Sequence, residues 1–166
     1  MPELRLLRTG DAEAVLAFEL ANRGYFAATV PDRGDDYFAR FSTRYDALLA
    51  EQDAGICAFY LLVADDGSVV GRFNLYDLRN GAADLGYRVA RNVAGRGVAT
   101  SATQELCRLA ATHHRLRLLR AATSSANIAS RRVLVKAGFV PVGPADPSDL
   151  DGEPGTWFRR ELTPVR

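Results

Sequence analysis

Arg91-Asn92-Val93-Ala94-Gly95-Arg96-Gly97-Val98-Ala99-Thr100 sets two glycines where a strand-like run gives way to an amphipathic helix. Glycine lets the backbone approach a ligand closely, and the first turn of a helix presents unpaired N–H groups at the positive end of its dipole. That combination receives phosphate or pyrophosphate. A Gly-x-Gly pair also fits a plain strand-to-helix turn, so its neighbours decide. A dinucleotide fingerprint requires a third Gly or Ala where Thr100 stands, a parallel βαβ unit ahead of it and an acidic residue about 20 positions on. A Walker loop requires Gly-Lys-Ser/Thr, which the chain does not contain.

Upstream of the glycines the hydrophobic period is 2. Residues 56–64 and 69–76 are β-rich runs joined by Asp65-Asp66-Gly67-Ser68, a hairpin turn. A third run, residues 83–89, follows Asn80-Gly81 and alternates Leu85, Tyr87 and Val89 with Asp84, Gly86 and Arg88. Three successive strands make an antiparallel meander, which removes the dinucleotide reading. Further upstream lie a short strand at residues 4–7, a helix expected over 11–22, a loop over 24–34 with Pro31, and a second helix carrying Phe38, Phe41, Tyr45, Leu48 and Leu49 at helical spacing. Downstream, Val98, Ala102, Leu106 and Leu109 mark one face of a third helix ending near His113. Residues 118–122 read as a buried strand, 127–137 as a fourth helix stopped by Gly138, 139–142 as a strand, 144–155 as an acidic turn-rich loop and 156–162 as a closing strand. The fold class is α/β: one domain over residues 1–166, with a mixed, mostly antiparallel central sheet flanked by four helices.

Composition agrees with one globular domain: 166 residues, 48% hydrophobic and 25% charged. A chain of this length buries roughly 70% of its unfolded surface and needs no disulfide or metal staple. The formal charge of +1 argues against a nucleic-acid partner. No apolar run approaches the roughly 20 residues of a membrane span, and the N-terminus has no basic-then-apolar signal pattern. Cys57 and Cys107 lack Cys-x-x-Cys spacing and nearby His, so neither a metal site nor a redox pair is expected, and the expected location is cytoplasmic.

With the dinucleotide and Walker readings gone, the chain resembles the GCN5-related N-acetyltransferase (GNAT) superfamily over nearly its whole length. The acetyl-CoA motif of that family, Arg/Gln-x-x-Gly-x-Gly/Ala, falls on Asn92-Val93-Ala94-Gly95-Arg96-Gly97, preceded by Asp84-Leu85-Gly86-Tyr87-Arg88-Val89. A second match is Asn127-x-x-Ser130 followed by Lys136-Ala137-Gly138-Phe139. With Leu85-Gly86-Tyr87 it is similar to the branch of ribosomal-protein-alanine N-acetyltransferases. The resemblance implies an acyl-CoA N-acyltransferase fold, acetyl-CoA as co-substrate, and a primary-amine acceptor, either a protein N-terminus or a small molecule, in a monomer or homodimer. Two positions depart from the pattern. Asn92 stands where Arg or Gln is usual, and Leu134 stands where several members place a tyrosine acid.

The cofactor set implied is Tyr87, Arg88, Val89, Arg91, Asn92, Gly95, Arg96, Gly97, Val98, Ala99, Thr100 and Asn127. The backbone of Tyr87-Arg88-Val89 is expected to meet the reacting carbonyl oxygen, which fits the general weight of preorganised donors in catalysis. Arg91 and Arg96 are the phosphate candidates. Catalytic expectations fall on Asp84, Asn127 and Ser130. Asp84 has a low ordinary pKa for a direct base and is expected to act through water or to orient the amine; otherwise it is a solvated strand-edge carboxylate. Asn127 either bonds the pantetheine arm or a water, or caps its helix. Ser130, one turn on, either protonates the leaving thiolate or is a small helix residue. Neither cysteine has the His neighbour that an acyl-enzyme route needs, so direct transfer in a ternary complex is expected. The rival reading is a non-catalytic acyl-CoA-binding regulatory module.

The peripheral candidates each carry two readings. Arg108, His113, His114, Arg115, Arg117 and Arg120 surround the end of the third helix, as a site for the 3′-phosphate of CoA or as partners of the helix dipole. Tyr25, Phe26, Tyr37 and Phe38 are acceptor-pocket candidates, although the helical spacing of Phe38, Phe41 and Tyr45 says core first, and Asn74 and Tyr76 border the same region. Asp146, Asp149, Asp151 and Glu153 either draw in a cationic acceptor or are simply solvated.

Overall fold

Asp65-Asp66-Gly67-Ser68 turns the chain as its sequence requires: the amide of Gly67, at φ 87°, donates to Ala64 O, and the amide of Ser68 donates to Asp66 Oδ1. The strands on either side are β2 (Ala58–Val63) and β3 (Val69–Arg79), and they pair antiparallel. This is a computed structural model, and it describes residues 2–163; residue 1 and residues 164–166 of the expected domain lie outside the described residues.

In chain order the elements are β1 (Glu3–Leu6), α1 (Ala12–Ala21), α2 (Arg23–Ala27), α3 (Asp35–Ala39), α4 (Phe41–Asp53), β2, β3, β4 (Ala82–Val89), α5 (Val98–Thr112), β5 (Leu118–Ser124), α6 (Ile128–Lys136), β6 (Val140–Ala145) and β7 (Gly155–Glu161). The seven strands form one sheet in the order β1-β2-β3-β4-β5-β7-β6. Every pairing is antiparallel except β4 with β5, which is parallel and restricted to Ala82–Asp84 against Leu118–Arg120.

The mixed, mostly antiparallel sheet is as expected, but six α-helices stand among the described residues where the sequence predicts four. The 24–34 segment is not all loop. It opens with α2, whose Phe26 is buried against Phe18 of α1 with ring centroids 5.5 Å apart, and this tertiary contact outweighs the helix penalty of Gly24. The second predicted helix breaks at Arg40 into α3 and α4, although Tyr37, Phe41 and Tyr45 still meet ring to ring at 5.9 Å across the break. The strand expected over 139–142 runs instead from Val140 to Ala145. It carries Pro141 and Pro144, which an edge strand tolerates because one of its sides has no ladder to serve.

The core packs α5 and α6 on one face of the sheet through Phe73, Leu75, Leu106, Leu119, Leu134 and Phe139, each at most 2% exposed. Each such side chain contributes about 1.5–3 kcal/mol by leaving water. Leu134, at the position where a tyrosine acid is common in the resembling enzymes, is one of these core residues. No helix among the described residues is long and apolar enough to cross a membrane.

Candidate active site

β4 stays paired with β3 as far as Val89, while β5 leaves β4 after Arg120 and runs on beside β7 to Ser124. The two strands diverge, and beyond Asp84 the outer edge of β4 has no neighbouring strand. Backbone groups on that edge face a cleft of about 460 Å³ lined by Tyr87, Arg88 and Val89 of β4, by Gly95, Gly97, Ala99 and Thr100, and by Asn127, Ser130 and Lys136 at α6. Tyr25, Phe26, Thr29 and Val30 close it from the side of α2. A cleft bordered by an unpaired strand edge suits an extended ligand that offers its own amides to the strand.

At the far end of the cleft the glycine loop turns into α5. Gly95 and Gly97 have φ of 75° and 76°, left-handed values that admit glycine without strain. Gly97 is the N-cap of α5 and offers no capping side chain, so the first amides of the helix remain open to an anion. The loop is anchored from behind by Asn22. Its Oδ1 accepts from the Arg91 amide at 2.9 Å, and its Nδ2 donates to Phe18 O at 2.9 Å. From the sequence Asn22 reads only as the end of the first helix, because the loop residue it holds lies 69 positions further along the chain. Arg91, Asn92 and Arg96 flank a second depression of about 760 Å³ against α1, on the other side of the loop. Val98 packs on the core.

Ser130 and Tyr87 meet inside the cleft. The Tyr87 phenol donates to Ser130 Oγ at 3.3 Å, and its ring stacks on Phe73 at 5.3 Å and 9°. Burial raises the proton affinity of this phenol, partly countered by the bond to Ser130. Asn127 caps α6 by accepting the Ser130 amide at 3.1 Å, and it also lines the cleft. The sequence placed Tyr87 there for its backbone; the hydroxyl beside Ser130 is added by the structure.

Asp84 lies at the narrow end, where β4 and β5 separate, and does not line the cleft itself. Both carboxylate oxygens are held by Arg120, which also stacks over the Trp157 ring at 4.6 Å. Asn74, Tyr76, Gly86 and Asp84 share one face of the β3–β4 pair, Asn74 opposite Gly86 and Tyr76 opposite Asp84. A Cβ on Gly86 would stand 3.3 Å from the Tyr76 ring, so glycine lets that ring lie across β4. Asn74 donates to the Tyr76 hydroxyl, and its Oδ1 is buried with no partner among the described residues.

None of the remaining basic and acidic candidates lines this cleft. Arg108 pairs with Glu105, His114 bonds the Tyr60 hydroxyl, and Tyr37 and Phe41 belong to the core. Asp146 caps its own turn, while Asp149, Asp151 and Glu153 are exposed and line none of the clefts described. Both cysteines are buried free thiols raised by burial.

The cleft fits an acyl-CoA: left-handed glycines and open helix amides for pyrophosphate, then a strand edge for the pantetheine arm. A family model described as an acetyltransferase (GNAT) domain matches residues 3–140. Over 144 residues the chain is 29% identical to the probable N-acetyltransferase YjcK of Bacillus subtilis, covering 82% of this chain and 78% of that protein. Among solved structures it is similar to Mycobacterium smegmatis RimJ in complex with CoA-disulfide, with a TM-score of 0.84 at 26% identity over 95% of this chain and 80% of that one. It is also similar to the ribosomal-protein-S5-alanine acetyltransferase of Vibrio fischeri, with a TM-score of 0.87 at 20% identity over 96% and 92% of the two chains. Diverging strands, an uncapped glycine-led helix and the matching domain model lead to one conclusion: the chain belongs to the GNAT family of N-acetyltransferases.

Proposed function

We propose that the protein transfers the acetyl group of acetyl-CoA directly to a primary amine while both are bound. The observation that carries this reading is the open edge of β4 beyond Asp84, continuous with the uncapped start of α5 and bordered by the Tyr87–Ser130 pair. Acetyl-CoA supplies an activated carbonyl and a thiolate leaving group. The amides of residues 95–100 hold its pyrophosphate, and amides on the edge of β4 around Tyr87, Arg88 and Val89 meet the charge that builds on the carbonyl oxygen. Asn127, already committed through Oδ1 to the α6 cap, has its Nδ2 to offer the pantetheine arm.

The nucleophile must arrive neutral. An α-amine has an ordinary pKa near 7.7–8.0 against 10.4 for lysine, a difference of roughly 3.5 kcal/mol in deprotonation at neutral pH. Asp84, locked to Arg120, orients the amine or a water beside it rather than moving freely to it. The proton lost by the amine leaves to solvent through that water. The departing sulfur takes a proton from Ser130 Oγ, Tyr87 replaces it through their shared hydrogen bond, and solvent returns a proton to the Tyr87 phenolate as the products leave. This route answers the absence of a phenol at Leu134, the feature that most favours a non-catalytic CoA-binding module.

The test is release of free CoA from acetyl-CoA across a panel of peptides, amino acids, polyamines and aminoglycosides. Initial rates that give intersecting reciprocal plots support direct transfer. Parallel plots contradict it, and tight CoA binding without release for any acceptor contradicts the enzyme reading.

A further inference from the structure

Glu19, in the apolar stripe of α1, is 1% exposed, and three guanidinium groups converge on it. Arg33 donates to its Oε1 at 2.8 Å, Arg72 donates to the same oxygen at 3.2 Å, and Arg88 stands 3.8 Å from Oε2 without a hydrogen bond. No second carboxylate among the described residues pairs with any of the three. Asp32 and Asp35, the nearest in sequence, pair with Arg23. One negative charge against three positive ones leaves a surplus in a poorly hydrated place: the Arg72 side chain is 6% exposed and that of Arg88 is 24% exposed. Buried charge without compensation is unfavourable, and it makes the region receptive to an incoming anion.

Arg88 is the member of the cluster with capacity to spare. It makes no side-chain hydrogen bond among the described residues, and its guanidinium carbon stands over the Phe26 ring, 5.0 Å from the centroid. Burial, then the repulsion of Arg33, lowers its hold on its proton, although it stays cationic at neutral pH. Phe26 and Arg88 also line the main cleft beside Tyr87 and Ser130, and both belong to a narrow crevice that leads to Glu19 and Arg33. Arg88 projects from the face of β4 that also carries Asp84 and Gly86, opposite to Tyr87. The acidic loop, read as either drawing in a cationic acceptor or simply solvated, lines neither the cleft nor the crevice.

We propose that the amine acceptor carries a carboxylate as well as its primary amine, and that the Arg88 side chain, backed by Arg33, receives that carboxylate. The inference rests on the acetyl-transfer reading for its amine and on the arginine cluster for its anion. A planar fork with unused donors suits a two-point hold on a carboxylate, and Glu19 holds Arg33 and Arg72 in place behind it. Glu19 thus acts as a positioning residue, and the acceptor completes the charge balance.

The experiment compares acceptors in pairs, amino acids and dipeptides each with a free carboxylate or as the amide. The wild-type protein is expected to favour the carboxylate member of its best pair by about tenfold or more in kcat/KM. Arg88→Gln is expected to reduce that preference below about threefold, chiefly through acceptor KM, and Arg88→Lys to retain part of it. Arg33→Gln, at a more exposed member of the cluster, gives a second variant should Arg88→Gln misfold. Equal rates within every pair, or preference for the amide, would overturn the proposal even while the enzyme reading stands. So would a loss of CoA affinity in Arg88→Gln with the acceptor preference intact, which assigns the side chain to the cofactor. If no acceptor turns over, calorimetry of the CoA-loaded protein with N-acetylated amino acids and their amides decides. Tighter binding of the carboxylates supports the site without the reaction, and equal or absent binding overturns it.

Discussion

Arg120 donates from Nε and Nη2 to the two carboxylate oxygens of Asp84, at 3.0 and 3.3 Å, across the last residue pair that β4 and β5 share. The ion pair therefore sits where the sheet opens, and it joins the two strands at the base of the cleft. If Asp84 orients the amine from this position, it does so as half of a pair. Asp84→Asn and Arg120→Gln are each expected to lower kcat about tenfold or more, with the double variant no worse than the more damaged single one. Additive losses in this cycle would show that the two residues act separately.

Tyr87→Phe removes one hydroxyl and keeps the ring that stacks on Phe73. Loss of the proton source behind Ser130 is expected to lower kcat by about 10²-fold with little change in acetyl-CoA KM. Ser130→Ala should act to a similar degree, since both belong to one relay. Unchanged turnover in Tyr87→Phe, measured by thiol release, would place the acid elsewhere.

Asn22 ties α1 to the residue that opens the glycine loop. Asn22→Ala should cost about 1 kcal/mol of stability and, by loosening residues 91–97, raise the CoA Kd severalfold. The readout is calorimetric titration of CoA beside a thermal melt. A destabilised variant with unaltered CoA affinity would separate the loop from the cofactor.

His114 lies half-buried with its Nε2 2.7 Å from the Tyr60 hydroxyl. Burial, then the neighbouring charge of His113, holds its pKa below the ordinary 6.5. The unfolded chain therefore takes up the proton first as pH falls. The contribution of the neutral imidazole to stability is complete above about pH 6.5 and is lost as pH drops toward the lower folded value. Thermal melts between pH 7.5 and 5 should show a steeper fall for the wild type than for His114→Gln, and equal slopes would contradict the assignment.

The sheet was legible because its signals are local: alternation in β3 and β4, Gly67 in its turn, and the switch to helical period at Val98. The helix count was not, because α2 exists through the burial of Phe26 on Phe18, a contact no window of sequence contains. The same limit applies at the site. Gly95 with Gly97, and Asn127 with Ser130, stand out by spacing within two short segments, whereas the pairing of Asp84 with Arg120 and of Tyr87 with Ser130 depends on strands and helices distant in sequence. Glu19 left a trace, a carboxylate inside the apolar stripe formed by Val15 and Phe18, but its three arginines come from separate parts of the chain.

The central claim is that the cleft between β4 and β5 transfers an acetyl group rather than merely holding a CoA ester. Its most direct test is to follow the carbonyl of 13C-acetyl-labelled acetyl-CoA by NMR in the presence of protein and a mixture of primary amines. Transfer predicts that the thioester resonance decays into an amide resonance, in step with free thiol and only when protein and amine are both present. Tight binding of the labelled thioester, with its resonance persisting beside every amine offered, would contradict the account.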